Sequence, residues 1–374
     1  MFLRRILLWP FTLFYGAILL VRHSLYDGGL LESTRPTLPT IAIGNLALGG
    51  TGKTPMMELV LRSLEHLAPV ATLSRGYGRR TTTIHEVMPD DDAARSGDEP
   101  LQVKRNFPAV RVFVGADRVL AIGVIQQAVP SVKAVVLDDA LQHRALDAGL
   151  NILLTTFQQP FCDDTLLPAG TLRDLRSRAK GAQVVVVTKC PALPSAGEQL
   201  RWRERLGLLE GQQLFFSGIS YDPPRSVGRP NLGSARDMST YLPDRQALQE
   251  FRGELDALAG TQVLLITGIA DPAPLLAHVK GLFATVEHAA FADHHPFSTS
   301  DLQLLAARYA KFAPGPQMLV TTEKDAVRLM PMIEGSPLQG FAFAVIPMRT
   351  VILNEPERFA ALIRDHVATH PAHR

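Results

Sequence analysis

The sequence predicts an α/β protein built on a parallel sheet, with a second, smaller α/β domain and a hydrophobic helix at its N-terminus. Three observations carry this. An apolar run, Ile41 to Ile43, enters a glycine-rich turn and Gly52-Lys53-Thr54 ahead of a helix-compatible segment, Met56 to His66. Short apolar strands then alternate with helical stretches, the pattern of parallel strands joined by crossover helices. Ahead of both, Ile6 to Val21 is nearly all apolar, with Arg4 and Arg5 before it and Arg22 after it.

The segment Ile41 to Pro55, IAIGNLALGGTGKTP, has the layout of a phosphate-binding P-loop. Backbone N–H groups must close around phosphate oxygens, which glycine permits because it has no Cβ. The helix N-terminus adds partial positive charge, Lys53 reaches the β/γ-phosphates and the Thr54 hydroxyl offers a ligand to Mg²⁺. Ala47 stands where the strict motif has its first glycine, so Gly49 and Gly50 are expected to supply the flexibility. Gly49, Gly50, Thr51, Gly52, Lys53 and Thr54 are the ATP-binding candidates, and the fold is a P-loop NTPase-type core.

A length of 374 residues fits roughly two domains. The net charge of +2, with no long Lys/Arg block, gives no reason to expect a nucleic-acid partner, and no obligate protein partner is evident. Cys162 and Cys190 have neither metal-ligand nor disulfide-framework spacing, which suits a reducing compartment. The expected division is an anchor helix over 1–31, a core over 32–222 and a smaller domain over 223–374, with a connector at Pro223 to Pro230.

The N-terminal run of 16 residues is shorter than the roughly 20 that span a bilayer, and Pro10 interrupts it. It has no small-x-small cleavage site, and export would remove a nucleotide loop from ATP. Trp9, Phe11, Phe14 and Tyr15 beside flanking arginines suit shallow insertion at an anionic leaflet; a true span and a buried packing helix are the alternatives.

Val70 to Leu73 reads as a strand followed by Ser74-Arg75-Gly76-Tyr77-Gly78-Arg79-Arg80, arginines at a strand's carboxyl end where an anionic ligand or simply solvent meets an open sheet. Asp98, before Glu99-Pro100, reads as a helix start or as a general base. Val110 to Val114 is a strand, and Arg118 opens the next helix. Ala134 to Asp139, AVVLDD, is an apolar strand ending in two acids, the form of a Walker B segment, so Asp138 and Asp139 join Thr54 as Mg²⁺ ligands. Asn151 to Thr155 and Val184 to Val187 are further strands. Thr188-Lys189-Cys190-Pro191 lacks the aspartate of a guanine-reading segment. Arg173, Arg176, Arg178 and Lys180 form a basic stretch that is either a solvated face or a steering surface. In the second domain, strands at Val263 to Thr267, Met318 to Thr321 and Phe341 to Ile346 alternate with a helix capped at Asp271-Pro272. Asp293-His294-His295 invites a zinc reading that no further Cys or His supports by spacing.

Gly44-Asn45, Gly49 to Pro55, Ser74-Arg75-Gly76-Tyr77, Gly97-Asp98-Glu99-Pro100, Leu137 to Arg144, Leu167 to Asp174, Asp293 to Phe297 and Thr321 to Asp325, taken in order, resemble the tetraacyldisaccharide 4′-kinases of the lipid A pathway in Gram-negative bacteria. The resemblance covers nearly the whole chain. Asp174 stands where a glutamate is expected, Asp271 where asparagine is frequent, and the family tolerates a non-glycine at Ala47. It implies an ATP- and Mg²⁺-dependent phosphotransferase that phosphorylates the 4′-hydroxyl of an acylated disaccharide 1-phosphate lipid at the cytoplasmic face of the bacterial inner membrane. It also implies that Asp98 and His294, the latter oriented by Asp293, pair across the interdomain cleft to activate the acceptor, with Lys53 as the third catalytic group. Arg75, Tyr77, Arg118 and Arg173 are the substrate-binding candidates. The rivals are a membrane-associated P-loop ATPase switch with no lipid acceptor and a soluble small-molecule kinase.

Overall fold

The computed structural model describes residues 2–226 and 260–373. Of the connector expected at Pro223 to Pro230, residues 227–230 lie outside that range. The chain forms two compact units, 1–220 with 349–374 and 221–348.

The first unit opens with α1 (Phe2–Asp27), β1 (Thr40–Asn45), α2 (Lys53–Ser63), β2 (Val70–Ser74), β3 (His85–Glu86), α3 (Ala93–Ser96) and α4 (Asp98–Asn106). It continues with β4 (Arg111–Val114), α5 (Arg118–Ala128), β5 (Ala134–Asp138), β6 (Leu150–Thr156), β7 (Val184–Thr188), α6 (Ala196–Arg205) and β8 (Gln213–Tyr221). From β8 to β4 the sheet order is β8-β7-β6-β1-β5-β2-β4, every neighbouring pair parallel, with β3 antiparallel at one edge. Every residue of β1, β5 and β7 is buried. Strands covered on both faces have no polar side to alternate, so they read in the sequence as unbroken apolar runs. One face packs Ala42, Leu73, Phe113, Ile122, Ile125 and Leu137 together; the other packs Leu46, Leu153, Val185, Trp202 and Phe216. The loops after β1, β2 and β5 therefore emerge at one edge, at the centre of the sheet.

The second unit holds β9 (Arg225–Ser226), β10 (Gln262–Thr267), α7 (Ala273–Leu282), β11 (Thr285–Ala290), α8 (Thr299–Tyr309), β12 (Gln317–Thr322), α9 (Glu323–Leu329) and β13 (Phe343–Ile346). Its sheet runs β11-β10-β12-β13-β9, parallel except for β9.

Two expectations on domain limits are corrected. The C-terminal stretch does not stay in the second unit: β14 (Met348–Ile352) sits at the edge of the first sheet beside β8, and α10 (Pro356–Ala368) packs on α2. Its amphipathic face carries Phe359, Ile363 and Val367, all buried, and the Phe359 ring meets Phe215 of β8 edge-on at 5.2 Å. Phe359→Ala is expected to destabilise the first unit by about 3–5 kcal/mol, the range for deleting a buried phenylalanine ring, as read by denaturant unfolding. Nor does α1 form a domain of its own, for it belongs to the first unit and buries Thr12, Leu19 and His23 against it. Its outer face exposes Leu7, Trp9, Phe11, Leu13, Phe14, Ile18, Leu20 and Val21. Leu7–Asp27 is long and apolar enough to cross a membrane by length and composition.

Candidate active site

The phosphate loop takes the conformation its glycines allow. Gly49 and Gly52 have φ of 106° and 87°, the left-handed region that side chains with a Cβ rarely occupy. Gly52 is the N-cap of α2, no side chain caps that helix, and its first turn carries no acid. The Lys53 and Thr54 amides are thus left for an anion, and the helix dipole favours one there. Ala47, in place of a glycine, bridges to Leu172, while Leu48 N donates to Thr171 O at 2.8 Å and Arg173 N to Leu46 O at 2.8 Å. A second segment, 171–173, thereby braces the loop from outside.

Lys53 lies between two acceptors, with Nζ 3.4 Å from Asn45 Oδ1 and 3.8 Å from Asp139 Oδ1. The Arg173 guanidinium holds both of them: Nη1 donates to Asp139 Oδ2 at 2.8 Å, and Nη2 donates to Asp139 Oδ1 and, at 2.6 Å, to Asn45 Oδ1. Although burial opposes charge on Asp139, the Arg173 hydrogen bonds and the positive charge of Lys53 outweigh it and hold its carboxyl below the usual range. Asp139 also turns the chain with φ of 49° just past the end of β5.

The neighbouring acid faces the other way. Asp138 shares a small cavity with Thr54, Ser74, Glu99 and Pro100, and Ser74 Oγ donates to its Oδ2 at 3.4 Å. Its Oδ1 is buried and has no hydrogen-bond partner. Burial pushes this carboxyl up to about 7, with the Glu99 charge adding to the effect. An orphaned buried carboxylate oxygen beside a hydroxyl is what a hard divalent cation needs from a protein that leaves its remaining sites to water and phosphate. Thr54 and Asp138 fit Mg²⁺ in that way; Asp139 is occupied by Arg173. Glu99 has no role that the sequence alone assigns, although its place after Asp98 in the acidic first turn of a helix is the available signal.

Asp98, at the start of α4, is buried, and its Oδ1 accepts the Glu99 amide at 3.1 Å. Gly97 ahead of it, φ 91°, packs so near Gly76 that an added Cβ would lie 3.2 Å from the Gly76 Cα. This close approach of two backbones locks the Arg75-Gly76-Tyr77 turn to the Gly97-Asp98-Glu99-Pro100 turn, two motifs that are separate in sequence. Arg75 and Tyr77 are exposed at that turn.

One substrate candidate is corrected. Arg118 is 3% exposed and directs its guanidinium to the carbonyls of Gly115, Ala116 and Asp138, so it braces the end of β5 and is not a surface contact. Arg173, half-buried beside the phosphate loop, donates to Asp139 and Asn45. Arg118 thus satisfies main-chain carbonyls at the end of β5, whereas Arg173 supplies the counter-charge that the partly buried Asp139 demands.

In the second unit, Asp293 and His294 follow β11 and Lys324 follows β12. Lys324 Nζ lies 2.9 Å from His294 Nε2 and 3.3 Å from Asp293 Oδ1. Asp293 itself is 3.9 Å from that ring nitrogen, so Lys324 is the nearer neighbour. An ammonium only donates, which leaves the His294 proton on Nδ1. His295 meets Asp301 at 3.0 Å and stacks on Phe291, and so serves the fold.

A family model, tetraacyldisaccharide-1-P 4′-kinase (LpxK), matches residues 4–368. Tetraacyldisaccharide 4′-kinase of Bacteroides thetaiotaomicron is 39% identical over 356 residues, 94% of this chain and 90% of that one. The protein of the same name from Flavobacterium johnsoniae is 37% identical over 366 residues, 98% of each chain. A crystal structure of the "apo" form of LpxK from Aquifex aeolicus in complex with ATP superposes with a TM-score of 0.68 at 24% identity, covering 97% of this chain and 99% of that one, which shows a shared fold. The family model's match over residues 4–368, together with relatives 37–39% identical over nearly the whole chain, places the chain in the tetraacyldisaccharide-1-P 4′-kinase family.

Proposed function

We propose that the protein transfers the γ-phosphoryl group of ATP to the 4′-hydroxyl of a tetraacyldisaccharide 1-phosphate, a step of lipid A biosynthesis. Family membership supplies the reaction. The single structural observation that carries it is the uncapped α2 N-terminus with Lys53 beside it and Asp138 facing Thr54, an arrangement for a Mg²⁺-bound polyphosphate.

Lys53 and the loop amides bind the β/γ-phosphates and offset charge as it redistributes in the transition state. Thr54 and Asp138 would hold Mg²⁺, which would supply charge neutralisation at the phosphates. Asp98 accepts the proton of the acceptor hydroxyl. His294, with its tautomer fixed by Lys324, assists that transfer; the support for its part is the family resemblance and the chemistry of an imidazole near neutral pH. Arg75 and Tyr77, exposed on the turn locked to Asp98, contact the lipid headgroup.

The apolar outer face of α1 suits insertion into the inner membrane from its cytoplasmic side, where ATP is available. Acyl chains then stay in the bilayer while the headgroup reacts, which avoids a cost of about 0.8 kcal/mol for each methylene drawn into water.

Coupling of ATP consumption to lipid tests the reading against the ATPase switch. In detergent with ATP and Mg²⁺, ADP release is expected to rise at least about 100-fold when the tetraacyldisaccharide 1-phosphate is added, in line with acceptor-dependent positioning. ADP release that ignores the lipid overturns the kinase reading.

A further inference from the structure

The polar contacts of α1 converge on the residues that brace the phosphate site. Tyr15 OH donates to Arg173 O at 2.8 Å, and His23 Nε2 meets Asp174 Oδ1 at 2.6 Å, so the helix grips both sides of the Arg173 peptide. Arg22 donates to Gln142 O at 2.9 Å. Beyond these grips, the Arg173 guanidinium fixes Asn45 Oδ1 and Asp139, and Gln142 Nε2 donates to Asn45 O at 2.7 Å. Asn45 Oδ1 and Asp139 Oδ1 are the two acceptors that flank Lys53.

An anchor needs none of this. Simple docking of an apolar helix is served by apolar packing, whereas His23 and Asp174 are 4% and 1% exposed and pay desolvation for a directed bond. Arg144 Nη1, a donor, faces His23 Nδ1 at 3.3 Å, which leaves Nε2 as the protonated nitrogen aimed at Asp174. Buried, oriented hydrogen bonds of this kind define one position of the partner where packing alone tolerates several.

We propose that α1 is a working part of the phosphate site, with His23 and Tyr15 as positioning residues that hold Arg173 and, through it, the Asn45–Asp139 cradle of Lys53. The inference rests on the kinase reading above and adds to it that docking of the apolar helix and placement of the catalytic lysine are one structural event.

The test uses the full chain in detergent and the variants His23→Phe, His23→Gln and Tyr15→Phe. His23→Phe keeps the ring volume and is expected to lower kcat about 10–100-fold, the usual cost of losing a partner that orients a site residue. The KM for lipid and the fraction bound to anionic phospholipid vesicles stay within about twofold, because the outer face of α1 is untouched. His23→Gln, whose amide reaches a position near that of Nε2, restores most of the rate, and Tyr15→Phe, which loses only a hydroxyl, costs several-fold. In an Arg173→Lys background His23→Phe has little further effect, since both act through one residue. A raised lipid KM at unchanged kcat, or losses that simply add to those of Arg173→Lys, overturns the proposal. If the wild-type chain hydrolyses ATP without phosphorylating lipid, the kinase reading fails, yet the same variants remain readable through hydrolysis rate and affinity for a fluorescent ATP analogue.

Discussion

Replacing Asp98 with asparagine is expected to lower kcat by about 10²–10⁴-fold, the span assigned to a positioned proton acceptor, while KM for ATP changes little. Asparagine keeps the shape and can still accept the Glu99 amide, so α4 starts as before and the turn at Gly97 stays in contact with Gly76. What it cannot do is take a proton. A sugar hydroxyl holds its proton far too tightly at neutral pH to attack phosphorus unaided, so the loss falls on the chemical step and not on nucleotide binding. The measurement is steady-state kinetics with lipid and ATP varied separately, supported by a thermal melt. A variant with wild-type kcat removes Asp98 from the mechanism and leaves the P-loop assignments standing.

The second large effect separates the two adjacent acids. Asp138→Asn is expected to cost about 10³-fold in kcat, equivalent to several kcal/mol of charge stabilisation at the phosphates, and to raise the Mg²⁺ concentration needed for half-maximal rate. Asp139→Asn is expected to cost about 10–100-fold, because Asp139 acts through its neighbours Arg173 and Lys53. Their stabilities should move in opposite directions. Asp138 is a buried carboxyl with an unpartnered oxygen, so an amide there leaves the fold as stable or more so; Asp139 is one end of an ion pair, and its loss strands Arg173. Equal Mg²⁺ dependence in the two variants would place the cation elsewhere.

Much of this was legible in the sequence, for physical reasons that also explain the remainder. Strands β1, β5 and β7 are covered on both faces and announce themselves as apolar runs, and Gly52-Lys53-Thr54 states its own geometry because a phosphate loop is local in sequence. Contacts that depend on the fold were not legible. Arg118 reads as a ligand for an anionic substrate because an isolated arginine looks the same whether it faces solvent or the interior; only the sheet brings the Asp138 carbonyl to it, and Asp139 to Arg173. The fate of α10 was hidden for a similar reason, since an amphipathic pattern tells which face is buried but not against what. Asp174, a departure from the family's expected glutamate, turns out to be the buried partner of His23. Lys324 belongs to a separate motif, Thr321 to Asp325, and its meeting with Asp293 and His294 requires the parallel order of β10, β11 and β12.

The most direct test of the central claim is to identify the phosphorylated product. The full chain, incubated with γ-labelled ATP, Mg²⁺ and the tetraacyldisaccharide 1-phosphate in detergent, should yield a labelled lipid whose new phosphorus couples, in a proton–phosphorus correlation spectrum, to the proton on the 4′ carbon. Label recovered only as free phosphate, or a new phosphoester on any other hydroxyl, would contradict the account.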